Sequence, residues 1–383
     1  MRSKHEKIKS RASNFRPLAG SAELHKKTGD YIPPAHCADA PGFRYIGRWH
    51  RGYPAVTINT GAMLEFVFPG SCCDLVFDTT GMTQYPDLLV QVDEGTIARH
   101  RLDATTTAIC LCPDNLPKTA KANKAYWHMV RCWTIISSAD PAQWATQNGA
   151  CKFLGVRCAS PDAVLPVLPE ATSAIEFLGD SITASLRLLY TGHDGWDDRD
   201  RQTGYVRDWL TGQDHQHPVR NWTWHTARLL GLQPIVVGFG GQGLTVAGTI
   251  GAPPAVEAFP YVYAGAPWNP PVQPRIVVIY HGTNDKAFTE EQYHGYLRVI
   301  RSAYPRADIF AICPHTKAHF ASPIRAAAHQ AGDHVWFCDY GSGVIAPEDT
   351  SDGCHLNPGG AMRLAVRLAG DIARLIRGNT ASK

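Results

Sequence analysis

The sequence predicts two joined architectures, an all-β unit in the N-terminal half and a mostly parallel, doubly wound α/β sheet in the C-terminal half. Three observations carry this. Residues from about 40 to 165 hold many short strand-like runs with turn signals between them and no amphipathic helix. From residue 174 the pattern changes, and apolar strands alternate with helical stretches. Between the two lies SPDAVLPVLPE, Ser160 to Glu170, whose prolines read as a linker.

In the N-terminal half the strand signals are 56–59, 63–68, 73–79, 87–93, 106–111, 127–136 and 152–157. Many alternate apolar and polar residues. Pro69-Gly70, Asp93-Glu94-Gly95 and Asn148-Gly149 separate them. That spacing predicts a β-sandwich or jelly roll. In the C-terminal half the strands are 175–178, 234–238, 275–280, 308–312 and 334–338. Helical stretches occupy 222–232, 290–304, 322–332 and 358–378. Thr289 reads as an N-cap, with Glu290 and Glu291 in the first turn. In the last helix Met362, Leu364, Ala365, Leu368, Ile372, Leu375 and Ile376 fall on one face. Two long excursions, 186–220 and 251–274, follow strand ends and read as candidate cleft walls. The division expected is a basic tail and lead-in over 1–38, a β domain over 39–165 and an α/β domain over 171–380.

Composition excludes several classes. The chain has 383 residues, is 44% hydrophobic and 19% charged, and carries a net charge of +3. That is a normal globular profile with no basic stripe for nucleic acid. No apolar run is long enough to span a membrane. The basic start, MRSKHEKIKSR, is followed by no apolar stretch of a secretory signal, so the expected location is cytoplasmic, or secreted if a leader has been removed. The 11 cysteines are odd in number and scattered, with Cys73, Cys110, Cys132, Cys313 and Cys338 in strand-like runs. They read as buried reduced thiols. Cys72-Cys73 and Cys110-x-Cys112 lack the spacing of a zinc site, and no metal is expected.

The chemistry lies past the strand ends. IEFLGDSIT, Ile175 to Thr183, is a buried strand breaking into a Gly-Asp turn that leaves the Ser181 hydroxyl at a carboxyl strand end. A lone serine needs a base, an orienter for that base and donors for an oxyanion. His355 follows the last strand, with Asp352 three residues upstream, close enough for a carboxylate to fix the ring's tautomer. RIVVIY ends in His281-Gly282-Thr283-Asn284-Asp285, where the Asn284 amide can face an oxyanion. VVGFGGQGLT, 236–245, fits a dinucleotide fingerprint literally. It lies on the second strand of its sheet, lacks the following helix, and has no acidic residue at the expected distance. Its Gly243 instead offers a backbone N–H that can approach a substrate closely. No G-x-S-x-G elbow is present, which argues against the α/β-hydrolase fold.

These blocks, in this order, resemble the SGNH, or GDSL-like, hydrolases. Gly179-Asp180-Ser181, the glycine loop, Gly282-Thr283-Asn284-Asp285 and Asp352-Gly353-Cys354-His355 match the family's four blocks. The resemblance implies a flavodoxin-like three-layer α/β/α domain. It implies Ser181 as nucleophile, His355 as base and Asp352 as orienter. The oxyanion hole would be the Ser181 and Gly243 amides and the Asn284 side chain. Gln242 stands where relatives often have serine, which leaves Gly240, Gly241 and Gly243 open as donors. The preceding β unit, with YIGRWHR (45–51) and FPGSCCDLVF (68–77), is similar to carbohydrate esterase family 2, which joins a jelly roll to an SGNH domain. In that group the acid of the triad can be absent; Asp352 supplies it here. The implied activity is removal of O-acetyl groups from polysaccharide such as xylan or mannan, without a cofactor, and Trp268 is a candidate for stacking on a sugar. The alternatives are a lipid, aryl or thioester esterase with the same triad, and a catalytically silent carbohydrate-binding module.

Overall fold

The structure is a computed structural model, and it describes residues 34, 36–111, 127–158, 164–190 and 213–380. The basic start, Cys112, residues 160–163 of the linker and 191–212 of the first excursion lie outside the described residues.

The N-terminal half is built from β1 (His36–Cys37), β2 (Arg44–Ile46), β3 (Ala55–Thr57), β4 (Met63–Pro69), β5 (Cys73–Phe77), β6 (Asp87–Val92), β7 (Ala98–Arg101), β8 (Ala108–Leu111), β9 (Trp127–Ile135) and β10 (Cys151–Cys158), with the short helix α1 (Gln143–Thr146). They form two antiparallel sheets. One runs β1-β10-β5-β8, with β3 also on β10; the other runs β2-β4-β9-β6-β7. Alternation explains the packing. On β4, Leu64, Phe66 and Phe68 enter the core that also holds Leu75, Phe77, Val130 and Phe153. Glu65, between them, faces the other way and pairs with Arg44 and Arg131. The seven strand signals of the sequence all correspond to strands. β1, β2 and β7 carried no such signal, because two are very short and β7 reads ARHR. The arginines of β7 are held by one buried carboxylate, Asp87. β1 lies within the segment expected as a lead-in.

The C-terminal half contains β11 (Ala174–Gly179), α2 (Trp222–Leu230), β12 (Gln233–Gly238), α3 (Ala255–Ala258), the hairpin β13 (Tyr261–Tyr263) and β14 (Ala266–Pro267), β15 (Pro274–Tyr280), α4 (Glu290–Ala303), β16 (Asp308–Cys313), α5 (Ala321–Gln330), β17 (Val335–Asp339) and α6 (Pro358–Thr380). Strands β12-β11-β15-β16-β17 make one parallel sheet in that order. The order reverses beside β11, where an open α/β sheet leaves a crevice at its carboxyl edge. Leu178, Val277 and Ile309 share an apolar cluster with α4 and α5. Phe177, Val278 and Phe310, each next to one of these in the chain, share another with α2 and α6. Thr289 closes a capping box with Gln292 at the start of α4. Among the described residues no helix is long and apolar enough to cross a membrane.

The two halves are locked together. Gly61 backs onto Val236 of the outer strand β12, and Trp133 meets Trp224 of α2 edge to face at 5.7 Å. That contact covers an open sheet edge. At its centre Arg48 donates Nε and Nη2 to Glu176 Oε1 at 3.0 and 2.9 Å, and Nη1 to the carbonyls of Phe259 and Tyr261. Both side chains are fully buried, at 1% and 0% exposure. Removing one partner strands a charge in the interior. Arg48→Met should therefore lower the free energy of unfolding by about 3–5 kcal/mol, and Arg48→Met with Glu176→Leu should recover most of it. Urea unfolding of the single and double variants measures this, and a double variant as weak as the single would contradict it.

Candidate active site

Ser181 stands just past the carboxyl end of β11, an interior strand, and is 6% exposed. The chain after it winds into a turn, with Ala184 N–H donating to Asp180 O at 3.0 Å and Leu186 N–H to Ser181 O at 2.9 Å. The turn sits against Gly238 at the end of β12. A Cβ there would lie 2.7 Å from both Ala184 N and Asp180 O, so only glycine admits this approach.

The loop after β17 supplies the partners. Ser181 O–H lies 2.9 Å from His355 Nε2, and His355 Nδ1 lies 2.8 Å from Asp352 Oδ2. Asp352 Oδ1 accepts the backbone N–H groups of Cys354 and His355 at 3.1 and 2.7 Å. The carboxylate thus shapes its own loop as well as holding the ring. Nδ1–H donates to Asp352, so Nε2 is bare and faces the serine hydroxyl. Two further side chains brace the loop, and no motif in the sequence marked them. Arg187, in a left-handed conformation at φ 55°, donates Nη1 to Asp352 Oδ2. His315, past β16, takes Tyr280 O–H on Nδ1 at 2.9 Å and places Nε2 2.9 Å from the Cys354 carbonyl. A carbonyl only accepts, so that nitrogen carries the proton.

The third loop is tied to the glycine loop. Asn284 Nδ2 donates to Gln242 O at 2.9 Å and to Asp180 Oδ2 at 3.2 Å. Asp285 accepts Leu244 N–H and Thr245 N–H at 2.9 and 2.8 Å. Asn284 therefore stands beside the turn that carries Ser181.

Two expectations need correction. Gly243 N–H donates to Val246 O at 2.9 Å, and a Cβ at 243 would fall 2.4 Å from Asp285 Oδ2. Its glycine serves close packing against that carboxylate, and its amide is already used. Gly240 lines the cavity that also holds Ser181. Trp268 donates Nε1–H to Tyr304 OH at 3.0 Å, under the Arg48 guanidinium at 5.4 Å. α4 runs 14 residues away from the carboxyl end of β15, and Tyr304 follows its last turn. Trp268 thus packs at the opposite end of the sheet from Ser181, because the 251–274 excursion returns along the sheet after Ile250.

The carboxyls of the site differ in character. Burial pushes Asp352 up, but His355 and Arg187 outweigh that and hold it well below the usual carboxylate range. Burial raises Asp180 to about 6, against the Ile182 amide, His355 and Thr283, which all pull it down. Burial lowers His315, keeping its ring neutral for the bridge described. Among the described residues no group of three or more His, Cys, Asp or Glu side chains could hold a metal ion.

The raised Asp180 sets a pH dependence. The folded protein holds that proton more tightly than the unfolded chain does, so stability falls as pH rises from about 4 to about 6 and is level above. Asp352 has the opposite sign: its contribution is present above the ordinary carboxylate range and is lost below it. Urea unfolding between pH 4 and 7 should show the wild type losing stability relative to Asp180→Asn across that window, and a constant difference would contradict the assignment.

Neither a family model nor a curated protein matches the sequence. Solved structures do. A family two carbohydrate esterase from Cellvibrio japonicus matches over 89% of this chain and 97% of its own, with a TM-score of 0.70 and 17% identity. A family two carbohydrate esterase from Clostridium thermocellum, in complex with cellohexaose, matches over 88% and 99%, with 0.68 and 20%. A salicylyl-acyltransferase from a tetracycline biosynthetic pathway matches over 88% and 96%, with 0.54 and 15%. At these identities what is shared is the fold, over nearly the whole of both halves, and the chain folds as the solved family two carbohydrate esterases do.

Proposed function

We propose that the protein is a serine esterase that removes O-acetyl groups from carbohydrate. The single observation that carries this is the continuous chain Ser181–His355–Asp352 at 2.9 and 2.8 Å, set at the crevice of the sheet. The fold shared with family two carbohydrate esterases supports the choice of substrate class. In this reading the α/β half is an SGNH-type three-layer catalytic domain over 171–380, preceded by a jelly-roll-like domain over 39–165 and a lead-in over 1–38.

The chemistry follows from the geometry. His355 Nε2 takes the Ser181 proton as Oγ attacks the acetyl carbonyl carbon. Asp352 faces the imidazolium that results. The oxyanion is met by the Ser181 amide, by an amide of the glycine loop, and by Asn284. Ser181, Gly240 and Gly241 N–H make no hydrogen bond among the described residues, so they are available as donors. Asn284 must release Asp180 Oδ2, its longer bond, to join them. Collapse breaks the C–O bond to the sugar, whose oxygen takes the proton from His355. Water, deprotonated by His355, then attacks the acetyl-enzyme and releases acetate and free Ser181.

A substrate with a long acyl chain, lipid or thioester, fits less well. The cavity beside Ser181 has a volume of about 20 Å³. Release of acetate from acetylated xylan and mannan, compared with hydrolysis of long-chain esters, tests the choice. The acetylated sugars should be the better substrates, and preference for long acyl chains would contradict it. Ser181→Ala should abolish turnover with the fold intact. Asn284→Ala should cost roughly 10²- to 10³-fold in kcat. Full activity in Ser181→Ala would overturn the assignment.

A further inference from the structure

The cavity beside Ser181 has walls from both halves of the chain. Ser181, Ala184, Phe239 and Ile250 come from the α/β half, and Ile58 and Ile136 from the β half. Ile58 follows β3 and Ile136 follows β9, and they are 2% and 4% exposed. We infer that the N-terminal half forms the wall that limits the length of the acyl group, with Ile58 and Ile136 as the side chains that set specificity. The inference rests on the esterase reading and names the substrate end that this cavity takes.

Size and polarity decide which end that is. An ester held at Ser181 has an acyl side and an alcohol side. The space against Ser181, about 20 Å³, suits a small group such as a methyl better than a sugar ring. Ile58, Ile136, Ile250 and Phe239 present hydrocarbon on part of the lining, beside the polar Thr60, Ser137, Ser138 and Gln216, and that apolar part suits an acetyl methyl. The alcohol side must then leave by the open side of the crevice.

The wall is also held rigidly enough to discriminate. Ile136 N–H donates to Thr60 Oγ1 at 2.9 Å, and Thr60 O–H lies 3.1 Å from Gln216 Oε1 of the α/β half. The Trp133–Trp224 contact and the Arg48–Glu176 pair fix the same interface. A wall on a loosely tethered module would yield to a longer chain; this one is pinned from both sides.

The test is a series of p-nitrophenyl acetate, propionate, butyrate and hexanoate with the wild type, Ile58→Ala and Ile136→Val. In the wild type kcat/KM should fall by roughly tenfold or more as a methylene is added to the filled cavity. Ile58→Ala should raise the butyrate-to-acetate ratio by about tenfold. Ile136→Val removes one carbon from a buried site and should raise the propionate-to-acetate ratio by a few-fold. Should Ile58→Ala not fold, the Ile136→Val ratio decides. Wild-type turnover of acetate with unchanged ratios in the folded variants would overturn the wall and leave the esterase reading standing. Absence of all ester cleavage by the wild type would overturn both.

Discussion

The buried pair of Arg48 with Glu176 is the constraint on which the arrangement of this molecule depends. Glu176 lies on β11, the strand that ends at Ser181, and Arg48 lies in the β half. A carboxylate inside a central strand is costly to desolvate, and a guanidinium that also satisfies two backbone carbonyls offsets that cost. Such pairs contribute orientation more than net stability. Here the orientation is that of one half against the other. With Arg48 seated, Gly61 meets β12, Trp133 meets Trp224, and Ile58 and Ile136 line the cavity that also holds Ser181. The cavity is thus a property of the two halves together.

Within the α/β half, the same logic of interlocked strand ends holds the Ser181–His355–Asp352 chain together. The loop after β17 carries Asp352 and His355, and it is gripped by Arg187 from the turn after β11 and by His315 from the end of β16. The loop after β15 grips the glycine loop through Asn284 and Asp285. Each loop is held by its neighbours, which gives preorganisation without any one rigid element. Asp352 stays ionised because the His355 ring and the Arg187 guanidinium both hydrogen-bond it, while Asp180, buried beside the same serine, takes a proton more readily.

Much of this was legible in the sequence. The change of period at residue 174 marked the boundary of two architectures, and every long strand and helix of the α/β half has its counterpart. The positions of Ser181, Asn284, Asp352 and His355 followed from a simple rule, polar residues just past apolar strands. Four things were not legible, each for a physical reason. Which glycine faces the cavity depends on the Asp285 carboxylate turning into Gly243, a contact between two loops. Trp268 looked like a sugar platform in a Pro-rich loop, and only the return path of that loop places it under Arg48. Arg187 and His315 act through one hydrogen bond each on a distant segment, and neither spacing nor composition signals that. The wall made by Ile58 and Ile136 was hidden for the same reason, since both look like ordinary core residues of a separate β unit.

The central claim is that Ser181 is the nucleophile, made reactive by His355. A fluorophosphonate that phosphonylates activated serines tests it directly, read by intact mass and peptide mapping. The account predicts a single adduct on the peptide that contains Ser181, formed rapidly in the wild type and lost in His355→Ala. An adduct on another residue, or equal labelling in His355→Ala, would contradict it.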